Sequence, residues 1–236
     1  MVDLCGDPRL AIVTRGEDVV HLREVTPLAH AGDLARARQL LDTAGVSSLV
    51  ACSKGLKFPW GSTALENERA SDLAIVRVQD FGRWLGRALS RVYAPDGAAL
   101  WAVAKRVAAA PYGAERTAVI QVDLEGALAA HYSRGRLVGL ERRAGTPTAQ
   151  SLLEACGPVG TEVHLCGDGV DLDRLALDLA LVGGPWAQLP KPRLARPRCL
   201  AGLGGFTLAG VAEHALGGRG EEPIAWIDVG PELRVV

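Results

Sequence analysis

Lysine is scarce in this chain, occurring only at 54, 57, 105 and 191, so nearly all the positive charge rests on arginine. With 26 basic and 27 acidic residues the formal net charge is −1, which removes charge as a reason to expect nucleic acid or a membrane surface as partner. Aromatic residues are only 5% of the chain. No apolar run approaches the roughly 18 residues that suggest a membrane-spanning helix. The five cysteines, Cys5, Cys52, Cys156, Cys166 and Cys199, contain no C-x-x-C pair, which suggests reduced and mostly buried thiols. Met1-Val2-Asp3-Leu4 lacks the charged-then-apolar pattern of a secretory leader, so the expected location is the cytoplasm. There is no Gly-x-Ser-x-Gly, and His131, His164 and His214 have no obvious Ser or Cys partner.

What is abundant is Ala, Leu, Gly and Val, in a chain whose 236 residues suffice for a large core. Leu10–Thr14 and Val19–Val25 read as a hairpin about Arg15-Gly16-Glu17-Asp18. A helix capped by Asp33 follows, with Leu34, Ala37, Leu40 and Leu41 on its apolar face and Gly45 as its stop. Val46–Cys52 and Leu73–Val78 read as strands on either side of a long loop from Ser53 to Ser71. Phe81, Trp84, Leu85, Ala88, Leu89 and Val92 fall at helical spacing after Asp80, with Trp84 expected in the core. Leu100–Val103 reads as a strand, and Pro111-Tyr112-Gly113 as the boundary between a first lobe, 1–112, and a second, 113–236.

The second lobe is more regular. Ala118–Asp123, Gly126–Tyr132 and Leu137–Glu141 form a meander, the latter two joined through Arg134-Gly135. Thr146-Pro147 opens a helix that Gly157 ends. Glu162–Leu165 is a strand leading to Gly167-Asp168-Gly169, where Asp171 is positioned to cap the next helix, marked by Leu172, Leu175, Leu179 and Val182. A Pro-rich crossing precedes a small-residue helix over Cys199–Leu216, and Ile224–Ile227 offers a further strand. His164-x-Cys166 is the only tight pair of soft metal ligands, but it lies in a strand without two further ligands and reads as core. Gly202-Leu203-Gly204-Gly205 falls inside the expected helix rather than after a strand, which makes it a poor dinucleotide loop.

This order of elements resembles the duplicated actin, Hsp70 and sugar-kinase fold. The second lobe is most similar to the actin-like cytosolic subunit of type IV pilus and type II secretion assembly machines. Val122-Asp123-Leu124, Gly135, Arg142-Arg143, Gly145 and Leu165-Cys166-Gly167-Asp168-Gly169 occupy that family's order over about a hundred residues. The implied fold is α/β and two-lobed (ribonuclease H-like), each lobe a mixed sheet with flanking helices and the first lobe reduced. The implied nucleotide-binding residues are Asp123, Gly126, Gly167, Asp168 and Gly169.

The sequence departs from the family at the phosphate turn, where Leu124-Glu125-Gly126 sets a carboxylate at the position of the expected Gly. No catalytic residue and no metal site is therefore assigned, and no cofactor is expected beyond a residual ATP with Mg²⁺. The resemblance then implies a non-catalytic cytosolic scaffold. It would dock a short segment of an inner-membrane assembly protein, work beside an assembly ATPase and sit at the inner membrane only through its partner; a homodimer stays open. The alternatives are a small kinase or ATPase using Asp123 for Mg²⁺ and Lys54 or Lys57 for phosphate, or an inactive partner subunit of an active paralogue.

Overall fold

The computed structural model describes residues 1–5, 7–15, 20–54, 76, 78–107, 115–183, 187–188, 194–195, 205–216, 224 and 226–228. The turn at 16–18, the loop over 55–71, the boundary at 111–113 and the glycines at 202 and 204 lie outside them, as do Lys57, Leu73 and Cys199. The strands are β1 (Val2–Leu4), β2 (Arg9–Arg15), β3 (Val20–Pro27), β4 (Ser48–Ser53), β5 (Ala88–Tyr93), β6 (Arg116–Val122), β7 (Gly126–Ser133), β8 (Arg136–Ala144), β9 (Glu162–Cys166), β10 (Ala187–Gln188), β11 (Leu194–Ala195) and β12 (Trp226–Asp228). The helices are α1 (Ala31–Thr43), α2 (78–85), α3 (Ala98–Val107), α4 (Ala149–Leu153), α5 (Leu172–Gly183) and α6 (Gly205–Ala215).

The strands build two mixed sheets, ordered β11-β3-β2-β1-β4-β5-β12 and β10-β9-β6-β7-β8. Side-chain alternation along each strand sorts the core into layers. Leu49 and Ala51 of β4 face α1 and α2, while Val50 and Cys52 face α3 and α6. On β6, Ala118, Ile120 and Val122 face α4 and α5, while Val119 packs with Ala99, Leu100 and Val103 of α3. The described elements thus stack as helices, sheet, the α3–α6 pair, sheet, helices. The central pair is tight: a Cβ on Gly210 of α6 would sit 1.8 Å from the carbonyl oxygen of Ala98 in α3, so only glycine allows this crossing. This is the two-sheet α/β arrangement implied by the actin-like resemblance.

Several local expectations are corrected. Val78, Phe81 and Leu85 share the buried face of α2, and Val76 is also helical, so the strand expected to end at Val78 is helix there. That helix stops at Gly86, whose φ of +65° suits a glycine stop. Ala88, Leu89 and Val92 then belong to strand β5, not to the helix. Trp84 falls off the core face and is 48% exposed, its ring edge-on to Phe81. The strand expected at Leu100–Val103 is the middle of α3. Ala98–Ala104 are buried on every side between the sheets, which erases the periodicity that distinguishes helix from strand.

The cap of α1 is His30, and the Asp33 carboxylate accepts the His30 backbone N–H at 3.0 Å from inside the first turn. Thr148 rather than Thr146 caps α4, its hydroxyl accepting from Ser151 N–H at 3.2 Å. The first sheet also holds β1, absent from the sequence reading, and takes in β11 and β12 from the C-terminal half of the chain.

Candidate functional site: the cleft between the sheets

A cleft of about 400 Å³ opens where β1, the β4 end and the turn before α3 face the turns of the second sheet. One wall carries Asp3, Cys5, Asp7, Arg9 and Lys54, and the other carries Gln121–Glu125, Arg142, Asp168 and Gly169, with Pro95, Asp96 and Thr207 between. Asp123, Asp168 and Gly169 line it. Gly126 and Gly167 are not among its lining residues. A Cβ on Gly126 would meet the Arg143 carbonyl oxygen at 2.1 Å, and one on Gly167, whose φ is +134°, the Val122 carbonyl oxygen at 1.9 Å. Both glycines are required by neighbouring backbone. Gly169, at φ +82°, has open space beside it.

Anion sites in such clefts are made of backbone N–H groups at turns and helix N-termini. Three groups of them border this one, and each already has an acceptor within the chain. After β6, the Asp123 Oδ1 accepts Glu125 N–H at 2.7 Å and Gly126 N–H at 2.9 Å, closing the hairpin turn on itself. At the start of α6, the Asp168 carboxylate accepts Phe206 N–H at 3.1 Å and Thr207 N–H at 2.9 Å, so a residue nearly forty positions upstream caps the helix. At the start of α3, the Gln121 Oε1 accepts Gly97 N–H at 3.0 Å and Leu100 N–H at 3.3 Å, and its Nε2 donates to Pro95 O at 3.3 Å. Gln121 can do this because the β6 alternation puts it on the same face as Val119, toward α3.

Gln121 was missed in the sequence reading, although a signal exists: a polar amide inside Ala-Val-Ile-Gln-Val must find partners once buried. The Asp168–α6 bond left no such trace.

The charge of the lining also runs against phosphate. Asp3, Asp7, Asp96, Asp123, Glu125 and Asp168 oppose Arg9, Lys54 and Arg142, six carboxylates to three cations. Arg142 is already committed to Asp96, an ion pair that ties β8 to the turn before α3. Among the described residues no group of three or more His, Cys, Asp or Glu is placed to hold a metal ion. The His164 Nε2–H donates to the Glu162 carboxylate at 2.8 Å, and the buried His214 pairs with the Tyr93 hydroxyl at 2.9 Å. His164 and Cys166 do share a face of β9, buried in the core as expected.

No protein-family profile matches this sequence, and no curated protein matches it. Solved structures do. The chain aligns with a PilM–PilN type IV pilus biogenesis complex at a TM-score of 0.59 and 13% identity, covering 92% of this chain and 98% of that one. It aligns with a protein of actin-like ATPase fold and unknown function from Bacteroides thetaiotaomicron at a TM-score of 0.54 and 12% identity, covering 89% and 93%. The chain has the actin-like ATPase fold. Among the described residues no helix is long and apolar enough to cross a membrane.

Proposed function

We propose that this chain is a non-catalytic, actin-like scaffold of a type IV pilus-like or type II secretion-like assembly machine. In this reading it holds a short segment of an inner-membrane partner in the cleft between its sheets and works beside an assembly ATPase. The observation that carries the proposal is the internal capping of the cleft: Asp123, Asp168 and Gln121 accept N–H groups that a bound phosphate would need. The similarity in fold to the PilM–PilN complex supports the choice of machine. The surplus of carboxylates in the lining suits a segment carrying Lys or Arg, whose charged tips would meet Asp7 and Glu125.

The test is affinity purification of the tagged chain from detergent-solubilised membranes of its native host. The expected result is co-purification of an inner-membrane protein with a short cytosolic tail, lost in an Asp7→Lys/Glu125→Lys variant that keeps its thermal midpoint. Undiminished co-purification with that variant contradicts docking in the cleft. Absence of any inner-membrane protein contradicts the proposal as a whole.

A further inference from the structure

Cys5 and Cys52 are distant in sequence yet their sulfurs lie 3.4 Å apart. The sheet explains the approach. Strand β1 runs parallel beside β4 with Asp3 opposite Cys52, and Cys5, the residue just past β1, packs against the same core layer as Cys52. The Asp3 Oδ1 accepts the Cys5 backbone N–H at 2.9 Å, which turns the chain just past β1 and carries the Cys5 thiol back over Cys52. The two thiols differ in access. Cys5 is half-buried and lines the cleft, whereas Cys52 is fully buried.

We propose that Cys5 is a site of reversible thiol oxidation at the cleft and that Cys52 resolves it as an intramolecular disulfide. A hydroperoxide takes the electron pair of the Cys5 sulfur, giving a sulfenic acid and, from hydrogen peroxide, one water. The Cys52 sulfur then attacks the Cys5 sulfur, the S–S bond forms, and the sulfenic oxygen leaves as a second water with the Cys52 proton. Two thiols are oxidised and one peroxide is reduced. Little geometric change is required, since the sulfurs need only close from 3.4 Å to about 2.05 Å. The order of events follows from access. Cys5 lines the cleft and meets the peroxide first. Cys52 is fully buried, its thiol pushed well above the ordinary range by the contact with Cys5 and then by burial, and among the described cysteines its sulfur reaches only that of Cys5. The other described cysteines are poor competitors: burial pushes Cys156 up to about 11 and raises Cys166 well above the ordinary thiol range, and both belong to the second sheet's core.

The test uses the full chain, fully reduced and then exposed to hydrogen peroxide, alkylated, and read by intact mass and non-reducing peptide mapping. The expected result is loss of two of the five thiols, a mass lower by about 2 Da before alkylation, and a single cross-linked peptide pair joining Cys5 to Cys52, reversed by dithiothreitol. Replacing the resolving thiol, Cys52→Ala, leaves Cys5 as a sulfenic acid that dimedone labels. Cys5→Ala leaves Cys52 a free thiol under the same exposure. Alkylation of both residues after peroxide, or a bridge from Cys5 to any other cysteine, overturns the proposal. The wild-type peptide map decides the matter even if Cys52→Ala fails to fold.

Discussion

The two turns that the second sheet sends into the cleft each pair an aspartate with a glycine no more than three residues away, and they do different work. The turn at Asp123 is local: its carboxylate accepts the N–H groups two and three residues ahead and shapes one hairpin. The turn at Asp168 is long-range, because its carboxylate caps α6 and so ties the second sheet to the central helix pair. Within the Asp168 turn the two glycines differ as well. Gly167 lies where another strand's carbonyl leaves no room for a methyl group, and Gly169 faces open space. A motif that a nucleotide would need for close approach is here needed by the chain's own backbone.

Alanine substitution separates these roles. Gly167→Ala places a Cβ 1.9 Å from the Val122 carbonyl oxygen at a left-handed φ of +134°, and neither can relax without moving β6. Strain and overpacking together are expected to cost about 3–5 kcal/mol, measured by urea unfolding. Gly169→Ala carries only the backbone term at φ +82°, about 1–2 kcal/mol. If the two substitutions cost the same, crowding by Val122 is not what fixes Gly167.

The carboxylates give the next contrast. Asp168→Ala removes the cap from two N–H groups of α6 and is expected to cost about 1–2 kcal/mol, with faster amide exchange at Phe206 and Thr207. Asp123→Ala is expected to cost about 0.5–1.5 kcal/mol and to leave α6 exchange unchanged. A change in α6 protection on removing Asp123 would contradict the division into local and long-range turns.

Arg142 and Asp96 form a second long-range tie, from β8 to the turn before α3, but both are partly exposed and screened. A double-mutant cycle with Arg142→Ala and Asp96→Ala is expected to return a coupling of about 0.2–1 kcal/mol that shrinks in high salt. The smallest effect is confined to acid. Burial lowers the His164 pKa against the opposing pull of Glu162, so below the unfolded value of 6.5 the unfolded chain binds a proton that the folded chain resists. Stability therefore falls as pH drops through and below 6.5, and His164→Gln should flatten that slope in thermal midpoints measured between pH 7.5 and about pH 5.

The sequence was most legible where one force acted alone. The meander β6–β8 follows from short, largely apolar runs and from Arg134-Gly135, both at positive φ, which fix the tight turn. Gly157, at φ +80°, closes the turn after α4 as expected. Legibility failed where tertiary burial overrode local pattern. The run from Phe81 to Val92 keeps helical spacing by coincidence across Gly86, and its second half pairs in register with β4. The stretch Ala98–Ala104 is apolar all round because two sheets enclose it, so no periodicity marks it as helix. The fold could be inferred from the order of elements. The state of the cleft could not, because its decisive contacts, Gln121 to the α3 start and Asp168 to the α6 start, join residues 21 or more positions apart.

The central claim, that the chain's own side chains occupy the N–H groups of the cleft, is tested most directly by thermal unfolding with and without 1 mM Mg-ATP or Mg-ADP. The account predicts coincident transitions for the apo protein and both nucleotides. A saturable rise equivalent to about 2.7 kcal/mol, the stabilisation expected at a hundredfold excess over the dissociation constant, would contradict it.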